Sequence, residues 1–203
     1  MNQPASQFGA HELIGMQEAL RQKSANVEML SFLSQQVQDG TLRGMLEHHA
    51  RVIFDHYSQG VRILQGHSTN QTVQQTYQQI VNSQPKLGLR NPSMPVPNTQ
   101  AGTPSEQTIA TTALGLHKYG TIAWTNFALE CTNPQLRTYL MNGAAMCDRM
   151  AYEVWNFMNQ KEYYQVPTLQ ANTTQSIVQS YQVPSGAAAG QGRPASGQIP
   201  TYQ

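Results

Sequence analysis

Apolar residues recur along this chain at intervals of three and four, the period of helices with one buried face. From about His11 to Gln38 ("HELIGMQEALRQKSANVEMLSFLSQQVQ") Leu13, Met16, Leu20, Val27, Leu30 and Val37 keep that spacing. Asp39-Gly40 breaks it, and Thr41 is placed to cap a second helix. That helix runs to about Gln65, with Leu42, Met45, Leu46, Val52, Ile53 and Ile63 on its inner stripe. From His67 to Pro104 the pattern dissolves; Pro85, Pro92, Pro95, Pro97 and Pro104 forbid a continuous helix, leaving room for a short one around Val73–Val81. Ser105 caps a third helix ("SEQTIATTALGLHKYGTIAWTNFALEC"). Asn133-Pro134 ends it and opens a fourth that reaches about Lys161.

The two halves echo each other. "DGTLRGML" (39–46) and "NPQLRTYL" (133–140) share an acid or amide, a turn residue and x-L-R-x-x-L, each between two long helices. A hairpin alone cannot bury its stripe, whereas two packed together can. Helices of roughly 28 residues span about 40 Å, a distance the segment 67–104 covers. The pattern predicts an all-α, ferritin-like four-helix bundle, made of two helical hairpins joined by a long crossover. The expected organisation is a flexible N-terminus (1–10), a bundle over 11–165 (hairpin 11–66, crossover 67–104, hairpin 105–165) and a low-complexity tail over 166–203. Beyond Gln165 large apolar residues are too few to offset ordering entropy, so the tail is expected to be flexible.

Composition narrows the function. Charged residues make up 11% of the chain and the formal net charge is +1, so neither a nucleic-acid nor an anionic-membrane footprint is present. Weak self-repulsion favours self-association. The start, "MNQPASQFGAHEL", has no basic or apolar leader pattern, and no run approaches the length of a membrane span. Cys131 and Cys147 make neither a disulfide framework nor a zinc knuckle. Cys147 reads as core. Cys131, at a helix end, is the better candidate for a reactive or intermolecular thiol.

The strongest chemical signal is "LEHHARVIFDHY" (46–57), with three histidines among two acids. Chelation from one helix needs ligands three or four residues apart. His49 and His56 lie two turns apart, about 10 Å along the axis, and Glu47 is followed three residues later by Ala50. Arg43, Glu47, Arg51 and Asp55 alternate in sign every four residues and read as a solvent-facing ion-pair ladder. His49 and His56 fall in line with Leu42 and Ile63, as hydrogen-bonded interior histidines. Di-metal bundles use Glu-x-x-His on two helices. Here Asn156 follows Glu153, and Asn133 follows Glu130, where histidine would be needed. An irregular site from His49 or His56 with Glu130 or Glu153 falls short in ligand number and spacing. No catalytic, cofactor-binding or metal residues are therefore assigned. Lys23, on the first stripe, is expected to snorkel; His117 lies in a segment apolar nearly all round and its direction is open.

The fourth helix also carries a resemblance. "ALECTNPQLRTYLMNGAAMCDRMAYEVWNFMNQKEYYQVP" resembles the C-terminal motif of the coat F family of bacterial spore coat proteins. The shared pattern is Asn-Pro-x-Leu-Arg-x-x-Leu, then Tyr-Glu-x-aromatic-x-aromatic-Met-Asn-x-Lys, an aromatic pair and Pro. "HELIGMQEALRQKSANVEML" and "VQDGTLRGMLEHH" are similar to that family's N-terminal part. The resemblance implies a structural component of the endospore coat, without catalysis or cofactor, made in the mother-cell cytoplasm. It would act by packing against other coat proteins and against itself. The alternative is a divergent ferritin-like metal-binding protein or oxidase.

Overall fold

The computed structural model describes residues 8–67, 84–92 and 94–183. The helix expected around Val73–Val81 and the tail beyond Val183 lie outside them. Among the described residues five helices follow in order: α1 (Ala10–Gln36), α2 (Gly40–Leu64), α3 (Glu106–Leu129), α4 (Pro134–Gln160) and α5 (Ala171–Ser180). The first four form two hairpins, α1–α2 and α3–α4, that meet along α1–α3 and α2–α4. No strand occurs among the described residues; two isolated bridges join Leu87 and Gly88 to Val166. The chain divides into two compact units, 1–166 and 167–203.

The repeated turn motif works the same way twice. Asp39 accepts from the backbone N–H groups of Thr41 and Leu42, and Asn133 from those of Gln135 and Leu136. These bonds satisfy N–H donors that the first turn of a helix leaves without partners. Arg43 then donates back to the Val37 carbonyl, as Arg137 does to that of Cys131. Each arginine thus ties the start of one helix to the end of the one before.

The stripe of α1 departs from expectation. Its buried residues are Glu12, Gly15, Met16, Ala19, Lys23, Asn26, Leu30, Leu33 and Ser34, and apart from Gly15 and Ser34 they alternate in steps of four and three. Leu13 is 43% exposed, because Glu12 holds the inward position instead. Between the helices, Leu42, Leu46, Ile53, Ile63, Ile109, Leu136, Leu140 and Val154 fill the core. Glycine makes room for the two largest buried rings. A Cβ on Gly60 would run into the Tyr139 hydroxyl, and one on Gly143 would stand 2.5 Å from Trp124.

Within the crossover the chain is tied back to the end of α4. Asn159 accepts from the Lys86 N–H and donates to the Lys86 and Tyr164 carbonyls. Gln160 donates to the Gln84 carbonyl, and Gly88 N–H to that of Val166. In the segment expected to be flexible, α5 forms where Gly and Pro are absent, over 171–180. All of its residues are exposed.

Candidate functional site

At the middle of the bundle three titratable side chains from three helices meet. His49 of α2 is fully buried, and its Nε2 lies 2.7 Å from Oε2 of Glu153 on α4. Its Nδ1 lies 3.1 Å from Nε2 of His117 on α3. The carboxylate accepts the His49 Nε2–H, which leaves Nδ1 to accept from the Nε2–H of His117. Glu153 keeps a quarter of its side chain exposed, so the relay runs from the surface inward. Burial pushes His117 down to about 3, helped by His49 and by the charge of Lys23.

Beside the relay sits a second, unpaired group. Lys23 of α1 is 2% exposed, and its Nζ meets no hydrogen-bond acceptor among the described residues. It lies 4.3 Å over the Trp124 ring. Desolvation lowers it to about 7, opposed only in part by Cys147. The snorkelling expected of Lys23 does not occur, and neither Glu130 nor Glu153 pairs with it. His56 stacks on Tyr139 at 4.2 Å and meets Trp124 edge-on. Neither of its ring nitrogens has a partner among the described residues; the Tyr139 hydroxyl donates instead to its backbone carbonyl. Burial, with the nearby Lys23 charge, brings His56 down to about 2, and burial raises Tyr139 well above the phenol range.

Of the four residues considered for an irregular metal site, only His49 and Glu153 touch. Glu130 is exposed at the C-terminal cap of α3, and His56 faces aromatic rings. Spacing along one helix at a time misses the contact across α2, α3 and α4. It also leaves open that His117 points inward. The facing atoms of the relay are bonded to one another. Among the described residues no group of three or more His, Cys, Asp or Glu has a geometry that could hold a metal ion. Cys131 and Cys147 are both buried and free, and burial raises both thiols, away from the thiolate that reactivity at Cys131 would need.

The remaining buried acid is not singled out by the apolar pattern. Glu12 accepts at Oε2 from Gly9 N–H, and at Oε1 from Thr132 N–H (2.6 Å), Asn133 N–H (2.5 Å) and the Thr132 hydroxyl. Those bonds, led by that from Asn133, hold it down at about 2. The second hairpin returns the contact: Glu106 accepts from the Gln38 and Asp39 N–H groups in the turn of the first. Glu12 precedes Asp39 by the same interval as Glu106 precedes Asn133, so each acid holds the same place relative to its own turn motif. That repeat was the available signal. Lys161 completes the joint with a 2.7 Å ion pair to Asp39, which lowers Asp39 and raises Lys161.

The second hairpin and the segment after it are where a known family appears. Residues 105–167 match the Coat F domain. The chain is similar to "Spore coat protein F-like protein YhcQ" of Bacillus subtilis (strain 168), 26% identical over 196 residues, which cover 96% of this chain and 85% of that protein. No solved structure matches. Among the described residues no helix is long and apolar enough to cross a membrane.

Proposed function

We propose that this chain is a structural component of the endospore coat, acting by self-association and by packing against other coat proteins, without catalysis. The observation that carries this reading is the use made of the motif residues. In the stretch Asn133–Pro167, Asn133 caps α4 and Arg137 ties it to α3. Glu153 holds His49, Asn159 clamps the crossover and Lys161 pairs with Asp39. Tyr152 and Trp155 stack, and Trp155 meets Tyr164 edge-on. The polar residues of the pattern that matches Coat F hold the fold in place rather than opening onto a reactive centre. The printed name of the Bacillus relative supports the coat as the setting.

The oxidase alternative would have to draw on His49, His117 and Glu153, whose facing atoms are already bonded together. Synthesis in the mother cell is part of the proposed setting. The test is a full-length fluorescent fusion followed through sporulation in an endospore-forming host, with mass spectrometry of purified coats. The fusion is expected to encircle the forespore and the protein to co-purify with the coat. A signal that stays diffuse through sporulation, with no coat-associated peptides, overturns the reading.

A further inference from the structure

One face of α2 looks outward. On it Arg43, Glu47, Arg51 and Asp55, all exposed, recur every four residues with alternating sign. The sequence predicts that they close into a ladder of intrachain ion pairs, and they do not. Glu47, Arg51 and Asp55 have neither ion-pair nor hydrogen-bond partners among the described residues. Arg43 is held in place by donating from Nε to the Val37 carbonyl. Alongside runs a groove of about 590 Å³ between α1 and α2, lined by Val27, Ala50 and Phe54 together with Glu47, Arg51 and Asp55. Phe54 is 58% exposed on its rim.

The order of signs decides what fits there. Read from Arg43 to Asp55 the row is plus, minus, plus, minus; read backwards it is minus, plus, minus, plus. Two copies of α2 laid antiparallel, about a twofold axis midway between Glu47 and Arg51, set Glu47 against Arg51 and Arg43 against Asp55. Symmetry makes each pair twice and places no like charges together. Parallel pairing would set like against like. The row follows the i, i+4 ridge of the helix, so aligning two such ridges crosses the helices at about 50°. A twofold contact of this kind closes on itself. The covering of Phe54 and the groove supplies apolar burial beside the charges.

We infer that the outward face of α2, centred on Glu47 and Arg51, is a homodimer interface, on which a second copy of this chain docks antiparallel with its own Arg51 and Glu47. This deepens the self-association in the function proposed above and rests on it for its biological setting. The test does not, because it is made on the purified full-length chain.

Sedimentation velocity at low and high ionic strength reads the dimer, with far-UV circular dichroism as the control for folding. The wild type is expected to dimerise, and more weakly as salt rises. Glu47→Arg and Arg51→Glu each turn attractive contacts repulsive and should each weaken the dimer by about tenfold or more. The double variant Glu47→Arg/Arg51→Glu restores opposite signs across the twofold axis and should recover most of the wild-type affinity. A wild type that stays monomeric at its highest soluble concentration overturns the proposal. So does a dimer indifferent to both reversals, or a double variant no stronger than the singles. Coat localisation of the same variants reads the structural role separately: loss of the dimer with the chain still in the coat leaves that role standing.

Discussion

Lys23→Met should make this protein more stable, with a gain that shrinks as pH rises. The lysine is buried to 2% exposure, its ammonium finds no hydrogen-bond acceptor among the described residues, and its pKa falls from 10.5 to about 7. A base whose folded pKa is depressed binds its proton more tightly in the unfolded chain. Its charge therefore destabilises the fold in full below about pH 7; the cost declines as pH rises and vanishes above 10.5. At about 1.4 kcal/mol per pH unit, the interval between 10.5 and about 7 corresponds to roughly 4–5 kcal/mol. The Trp124 ring, 4.3 Å from the ammonium, returns up to about 2 kcal/mol of this. Methionine fills a similar volume without a charge and adapts to the gap.

The expected advantage of the variant is thus about 2–4 kcal/mol at pH 7 and about 1 kcal/mol at pH 10. Urea unfolding followed by circular dichroism at the two pH values, at one protein concentration, measures it. Ionisations away from Lys23 are common to both chains and cancel in the difference. A variant less stable than wild type at pH 7 would refute the reasoning, since the ammonium would then have a favourable partner. A gap that fails to narrow by pH 10 would refute it as well, since the charge would not be its source.

Two further substitutions probe the joints and the packing. Glu12→Gln weakens a carboxylate that accepts from Gly9, Thr132 and Asn133, and should cost about 2–4 kcal/mol in urea unfolding at pH 7. Because the folded pKa of Glu12 is lowered from 4.5 to about 2, the wild-type advantage is whole above about 4.5 and should fade as pH drops toward 2. Gly143→Ala sets a methyl 2.5 Å from Trp124 and should cost about 1–3 kcal/mol. Gly40→Ala, whose Cβ would meet nothing within 4 Å, is the matched control and should not destabilise.

The hairpins were legible because their signals are local. Apolar spacing of three and four marks a helix, but the cap of the second helix is Asp39 and not Thr41, whose N–H it accepts, while Asn133 caps the fourth. The interior was not legible, because its seam is partly polar. Glu12, Lys23 and Asn26 occupy inward positions of α1, where a hydrophobic count sees gaps and shifts the stripe to Leu13. The contact of His49 with Glu153 and His117 joins residues far apart in the chain, and spacing along one helix carries no information about it. His117 was undecidable for a related reason: α3 is apolar on most sides, so its period does not choose a face. The open charges of α2 mislead in the opposite sense. Four-residue spacing permits ion pairs but does not compel them, since each exposed pair gains only a few tenths of a kcal/mol.

The buried polar groups act through how little freedom they leave. A relay from Glu153 through His49 to His117 is satisfied in one register of α2, α3 and α4. A slip of one turn displaces His49 by about 5 Å and leaves a carboxylate and two imidazoles in the core with broken bonds, each a penalty that apolar packing would not impose. The acids at the ends act in the same sense across the halves. Glu12 of the first hairpin holds the turn of the second, and Glu106 of the second holds the turn of the first, so parting the hairpins breaks both joints together. Polar chemistry inside this bundle therefore fixes geometry. A fixed geometry is also what the proposed self-association needs, because it lets every copy present the row from Arg43 to Asp55 in the same place and at the same angle.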